Sequence, residues 1–312
     1  MRAFIFPGQG AQTIGMGQAL AAAYPAARAV FDEVDEALGE ALSQTVWEGP
    51  EDTLTLTANA QPALMATSMA AFRALEAEGV AIGHAAFVAG HSLGEYSALC
   101  AAGTLGVGDA ARLLRLRGEA MQAACPVGVG AMAALLGMDY ARAVVVAAEA
   151  AQGEVCEAAN DNDPTQVVVS GHRAAVERAV ALAKEHGAKR AVLLPVSAPF
   201  HSPLMAPAAE AMRAALADVA LAEPAVPLVA NVTAEPVRDP EAIRGLLVEQ
   251  VTHRVRWRES VLRMAADGVT ETIEIGAGKA LSAMIKRIDK AIAPKSVATP
   301  EDVKALAEAL SP

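Results

Sequence analysis

The sequence predicts an α/β fold, a large domain with a parallel sheet at its core and a small α/β unit inserted into it. Three observations carry that expectation. Apolar runs at 3–6 and 85–90 each lead through a glycine-rich turn into a helical pattern, the strand-turn-helix unit of α/β architecture. The stretch 128–196 changes texture and reads strand, helix, strand, strand, helix, strand. The chain has 312 residues, 54% hydrophobic but only 4% aromatic, which suits a substantial core packed from Ala, Val and Leu.

Bulk charge narrows the partners. A net charge of -11 argues against nucleic acid and against anionic membrane surfaces, since both draw on an excess of clustered Lys and Arg. The N-terminal apolar stretch is broken by Pro7 and Gly8, too early for a signal peptide, and the longest uncharged span, near 122–138, contains Pro126 and several glycines. A cytoplasmic protein is expected. Cys100, Cys125 and Cys156 are odd in number and form no C-x-x-C pair, so they read as reduced structural thiols.

Along the chain, 3–6 reads as a first strand running into Pro7-Gly8-Gln9-Gly10-Ala11-Gln12. A nucleotide loop fails on spacing, because position 13 is Thr13 and no lysine follows. Residues 16–42 carry a helical pattern with Leu20, Tyr24, Val30, Phe31, Val34 and Leu38 inward, and 59–75 opens another helix with Pro62 near its first turn.

Next comes Phe87-Val88-Ala89-Gly90-His91-Ser92-Leu93-Gly94-Glu95, an apolar run, a turn and the start of a helix over 93–102. A serine in such a turn has its hydroxyl lifted clear of both elements, and glycines on either side let the backbone fold tightly around it. Ser92 is the candidate nucleophile. The Leu93 amide, at the helix start, is a candidate oxyanion donor, and if the first strand lies beside the one ending at Gly90, the Gln9 amide is a second. The order strand, serine turn, helix gives the large domain an α/β-hydrolase-like expectation.

The following helix, 109–121, carries three arginines. Arg112 and Arg115 suit a solvated face, whereas Arg117 lies about 200° round from Arg115 and can point inward. An inward arginine needs an anion, either a structural carboxylate or that of a ligand.

Between 128 and 196 the expected elements are strands at 131–138, 154–160, 166–170 and 191–196, with helices at 139–151, capped by Asp139, and 173–186, closed by Gly187. This βαββαβ order is that of a ferredoxin-like subdomain over 127–196, set into a large domain made of 1–126 and 197–312. Just after it, Ser197-Ala198-Pro199-Phe200-His201-Ser202-Pro203 holds a histidine between two prolines. His201 is the candidate base, ranked above His91, whose place next to the serine turns its side chain elsewhere. Asp161 and Asp163 lie between serine and histidine in the chain and stay open as a third member, as does a backbone carbonyl.

Together Phe6-Pro7-Gly8-Gln9-Gly10, Gly90-His91-Ser92-Leu93-Gly94-Glu95, Arg115-Leu116-Arg117-Gly118, Asn160 with Gln166, and Pro199-Phe200-His201-Ser202 resemble the malonyl-CoA:acyl carrier protein transacylases, a family of acyltransferases, over nearly the whole chain. The resemblance implies Ser92 as nucleophile, His201 as base, an oxyanion hole from the amides of Gln9 and Leu93, and the main-chain carbonyl of Gln250 orienting the histidine. It assigns Arg117 to the malonyl carboxylate and counts His91, Asn160, Gln166 and Phe200 among the substrate-binding residues. It implies malonyl transfer from malonyl-CoA to a phosphopantetheine thiol on acyl carrier protein, in fatty acid synthesis, by a monomer without metal or cofactor. A serine thioesterase or esterase, or a non-catalytic carrier-binding protein, are the alternatives. An acidic carrier would call for a local basic patch, with Arg254, Arg256, Arg258, Lys286, Arg287, Lys290 and Lys295 as candidates.

Overall fold

A strand of Ala3, Phe4, Ile5 and Phe6 has no polar face to show water, and in the computed structural model, which describes residues 1–196 and 198–310, it lies inside a sheet with both faces covered. The strands are β1 (Arg2–Phe6), β2 (Phe87–Gly90), β3 (Gly130–Leu136), β4 (Cys156–Asp163), β5 (Gln166–His172), β6 (Arg190–Leu193), β7 (Leu228–Val229), β8 (Pro236–Val237), β9 (Glu271–Ile275) and β10 (Ala293–Val297). Six of them form one sheet in the order β10-β9-β1-β2-β7-β8, parallel except for β8 at the edge. Successive residues of β1 serve opposite faces. Phe4 and Phe6 join the cluster of the nearly all-buried helix Thr57–Ala77, whereas Ala3 and Ile5 pack with Trp257, Val261 and Leu281.

The β1–β2 register pairs Phe6 with Gly90. The Gln9 loop and the Ser92 turn therefore leave the same end of neighbouring strands, the edge where open α/β sheets hold their ligands.

The other four strands form a separate antiparallel sheet, β4-β5-β3-β6. Its outer face packs on the helices Tyr140–Ala151 and Arg173–Glu185 through Ala133, Leu135, Val146, Val169 and Val176. Its inner face presents Met132, Ala134, Ala159 and Val168 to Leu194, Val196 and Phe200, closing over the edge where Ser92 sits. The expected boundary residue 197 and residues 311–312 lie outside the described residues. Among the described residues no helix is long and apolar enough to cross a membrane.

Several expected elements shift. The helical pattern over 16–42 breaks into Gln18–Ala23 and Pro25–Leu38, because Pro25 has no amide to continue the first helix and instead starts the second; Leu42 opens a further helix, Leu42–Glu48. The last strand of the small sheet stops at Leu193, before Pro195. The strand expected over 154–160 runs on to Asp163, with register shifts between Ala158 and Asn160 and between Asp161 and Asp163. Such bulges break the in-and-out alternation, so Asn160, Asp161, Asn162 and Asp163 are all buried. Asp139 caps its helix as expected, accepting from the Arg142 amide at 2.9 Å.

Of the candidate basic patch, Arg254 and Arg256 pair with Glu259, Arg258 with Asp161, Arg287 with Asp163 and Lys295 with Glu271. Most of that charge is therefore already matched within the chain. Arg115, expected on a solvated face, is held by Asn59 and Glu40.

Candidate active site

The Ser92 turn is as tight as its glycines imply. A Cβ on Gly90 would lie 1.9 Å from the Gly94 carbonyl carbon, and one on Gly94 would lie 2.3 Å from the Phe6 oxygen. Ser92 itself takes a left-handed φ of 53°, at the entry to the helix Gly94–Ala101. That aims its hydroxyl out of the sheet edge, as in a nucleophile elbow.

His201, 109 positions downstream, meets it: the imidazole Nε2 is 2.8 Å from Ser92 Oγ. On the other side Nδ1 is 2.8 Å from the main-chain oxygen of Gln250. A carbonyl only accepts, so Nδ1 carries the hydrogen and Nε2 is left as the acceptor of the serine proton. This carbonyl is available because Gln250 caps the C-terminus of the helix Pro240–Glu249, where carbonyls lack helical partners. Burial, then the neighbouring Arg117 charge, push the His201 imidazole down to about 3, with the Gln250 carbonyl pulling the other way. It therefore rests neutral, in the form a base requires. Asp161 and Asp163 are not third members, since His201 Nδ1 is taken by the Gln250 carbonyl and their carboxylates are engaged by Arg258 at 2.8 Å and Arg287 at 2.8 Å.

Arg117 points inward from the helix Val107–Ala124 and is 1% exposed. Its guanidinium donates to Gln61 Oε1 at 2.6 Å, Gln250 Oε1 at 2.9 Å and Ser92 Oγ at 3.1 Å, with the Tyr96 ring 5.9 Å away. Among the described residues no carboxylate touches it, which speaks against the structural-anion alternative. Glu95 reaches it only through the Gln250 amide, whose Nε2 donates to Glu95 Oε2 at 2.7 Å. Burial pushes the Glu95 carboxyl up to about 7, against the hydrogen bonds from Gln250 and Asn231 and the Arg117 charge.

A cavity of about 250 Å³ opens over these groups, lined among others by Gln9, His91, Ser92, Leu93, Arg117, Asn160, Phe200 and His201. It continues outward into a groove of about 720 Å³ that shares Gln9, Thr55, Leu194, Pro195, Val196 and Phe200 and runs between the 51–57 segment and Val127, Gly128 and Arg173. Gln9 is fixed by the Thr57 hydroxyl, which donates to its Oε1 at 2.9 Å. The amides of Gln9 and Leu93 carry no hydrogen bond among the described residues, whereas that of Ser92 donates to Asn231 Oδ1 at 2.8 Å. His91 turns aside as expected, with Nε2 2.8 Å from Asn162 Oδ1 and its ring 5.9 Å from that of Trp257.

Gln166 departs from expectation. It begins β5 just after the hairpin, facing Asp163 and Leu136 in the ladder, and does not line the cavity. Asn160 pairs two positions deeper, with Val168, and is held at the cavity by a bridge to Val255. The reading of the sequence passed over Gln61, Glu95 and Asn231. Glu95 lies inside the serine motif, so its polar character on an otherwise apolar helix was a usable signal; Gln61 and Asn231 carry none that separates them from ordinary polar residues.

The acyl transferase domain model matches residues 3–302. The malonyl CoA-acyl carrier protein transacylase of Bacillus subtilis is 46% identical over 303 residues, covering 97% of this chain and 95% of the relative. The crystal structure of the acyl-carrier-protein-S-malonyltransferase of Bartonella henselae superposes with a TM-score of 0.97 at 56% identity, covering 99% of each chain. A malonyl-transacylase solved with the holo form of its type II PKS acyl-carrier protein superposes with a TM-score of 0.96 at 40% identity, covering 99% of each chain.

Proposed function

The chain belongs to the acyl transferase family, and from that premise we propose that it moves a malonyl group from malonyl-CoA to the phosphopantetheine thiol of an acyl carrier protein. The observation that carries the proposal is the buried guanidinium of Arg117, bonded among the described residues only to uncharged side chains and 3.1 Å from the hydroxyl that would be acylated. Such a cation selects an acyl group bearing its own carboxylate.

In the proposed sequence His201 Nε2 takes the Ser92 proton as Oγ bonds to the thioester carbon. The carbonyl electrons move onto oxygen, which the Gln9 and Leu93 amides receive. The C–S bond then breaks, the coenzyme A sulfur leaves with the proton from His201, and a malonyl-serine ester remains. The carrier's thiol gives its proton to His201, attacks that ester, and the same steps run in reverse. One thioester replaces another, so the exchange is nearly balanced in free energy and calls on no metal or redox group. Every residue in the scheme comes from one chain.

We also read 127–196 as a ferredoxin-like insert in an α/β-hydrolase-like domain. Supporting this are the βαββαβ order, the strand order β4-β5-β3-β6 and the separate apolar cluster under its two helices. The insert supplies the roof of the cavity through Met132, Asn160, Leu194 and Val196.

Intact-mass measurement after mixing with malonyl-CoA tests the function. The expected result is a malonyl adduct that is discharged by holo carrier protein and absent in Ser92→Ala. Release of free malonate without carrier would mark a hydrolase instead, and a chain that takes up no acyl group would defeat both.

A further inference from the structure

Asn231 lies fully buried two residues beyond β7, and the transfer scheme makes no use of it. Its side chain bridges the two ends of the serine turn: Nδ2 donates to Gly90 O at 2.7 Å, and Oδ1 accepts from Ser92 N at 2.8 Å. The opposite amide orientation would set oxygen against oxygen and NH₂ against N–H, so these two bonds fix its direction. Its own amide donates to Glu95 Oε2 at 3.2 Å. Glu95 Oε2 also accepts from Gln250 Nε2 at 2.7 Å, and that same nitrogen lies 3.0 Å from Ser92 O. Asn231 and Gln250, both tied to Glu95 Oε2, thus grip Gly90 O, Ser92 N and Ser92 O, the polar backbone atoms of the serine turn.

We infer that Asn231, braced by Glu95 and Gln250, is the positioning residue of the nucleophile. It holds Ser92 at its left-handed φ with Oγ facing His201, and it occupies the Ser92 amide so that only the Leu93 and Gln9 amides are left to face an oxyanion. This rests on the reading of Ser92 as the acylated group. Asn231 has no hydrogen bond to Arg117 or His201 among the described residues and reaches them only through Gln250, whose Nε2 donates to its Oδ1 at 3.3 Å, so its loss acts first on the position of the hydroxyl and less on selection of the acyl group.

The test is the single-turnover rate of malonyl-serine formation in Asn231→Ala and Asn231→Asp, normalised to folded protein by near-ultraviolet circular dichroism. In Asn231→Ala a hydroxyl displaced by a fraction of an ångström should lower the rate by roughly 10²-fold, with the half-saturating malonyl-CoA concentration and the preference for malonyl over acetyl kept within about threefold. Asn231→Asp keeps an acceptor for the Ser92 amide but replaces the donor to Gly90, and should fall by about tenfold. A folded Asn231→Ala that acylates within about threefold of the parent rate, or that loses its rate through weaker malonyl-CoA binding, overturns the inference. Should the alanine variant not fold, Asn231→Asp decides alone, and acylation at the parent rate overturns it. A parent chain that forms malonyl-serine beside such variants leaves the transferase function standing, whereas a parent that forms none removes both.

Discussion

Arg117 gives up its hydration to lie among the side chains of Gln61, Ser92, Gln250 and Tyr96. Burying a guanidinium without a carboxylate against it costs several kcal/mol, and before substrate binds Tyr96 and Glu95, one amide away, offset only part of it. A malonyl carboxylate would complete the pairing; an acetyl group leaves the cost in place. Replacing Arg117 by Ala should therefore cut the kcat/KM ratio of malonyl-CoA over acetyl-CoA by about 10²-fold or more, equivalent to roughly 3 kcal/mol. An unchanged ratio would take Arg117 out of acyl selection.

The buried titrating groups also set a pH signature. His201 falls to about 3 from 6.5, so the unfolded chain binds a proton that the fold rejects; its contribution is intact above pH 6.5 and is lost as pH drops towards 3. Glu95 rises to about 7 from 4.5, so its contribution is intact below pH 4.5 and is lost as pH climbs through 7. The two oppose each other between those values. Removing the second in Glu95→Gln should make Tm climb more steeply from pH 4.5 to 7 than in the parent, as read by calorimetry across that range.

At the scale of elements, helix propensity and packing disagree over Gly94. In a free helix, Ala would be favoured over Gly by about 1 kcal/mol. At the start of Gly94–Ala101, however, the added methyl carbon would sit 2.3 Å from the Phe6 oxygen, and backbone of β1 cannot yield as a side chain would. Packing should win. Gly94→Ala is expected to lose about 1–3 kcal/mol in urea unfolding and to lower the acylation rate, since it parts the Ser92 turn from the Gln9 loop. The Tyr24-Pro25 break and the bulges of β4 show the same competition: local pattern favours a long helix and an alternating strand, and a missing amide or an extra residue redirects both. Those bulges are what turn Asn160 to the cavity, Asn162 to His91 and Asp161 to Arg258.

For the whole molecule, the seam between the two sheets is both the site and a place where charge is buried. Asp161, fully buried on β4, accepts two bonds from Arg258, at 2.8 and 3.0 Å, on the helix Trp257–Ala266 beneath the large sheet. Asp163, also buried, accepts one bond from Arg287, at 2.8 Å, on the helix Ala280–Ile288. Removing the arginine strands a buried carboxylate, though the partial exposure of Arg258 lets water repay some of the loss. Arg258→Ala should therefore cost about 2–3 kcal/mol in chemical denaturation and raise the KM for malonyl-CoA, because the Asn160–Val255 bridge beside the pair holds the cavity wall. A variant as stable as the parent would show that the seam is held by apolar packing alone.

The features legible from residue order are those whose cause is local. A serine among glycines between an apolar run and a helical pattern specifies its own turn, Asp139 specifies its cap, and the βαββαβ periodicities name their elements within a few residues. Arg117 could be turned inward by helical angle, yet what it met stayed open, because periodicity gives the direction of a face relative to its own axis and says nothing of what stands opposite. The place of Gln166 outside the cavity lining and the bonds of Asn231 to the serine turn are invisible in the sequence for the same reason. The partners that matter were decided by the fold: the hydroxyl after β2 and an asparagine past β7 meet because parallel strands deliver their C-terminal loops to one edge, and the imidazole 109 residues on from the serine, arriving from the small sheet, and a carbonyl at the end of the helix Pro240–Glu249 are packed against that edge. Contacts between residues so far apart in the chain leave no trace in local order, since the free energy that brings them together is the burial of both sheets at once.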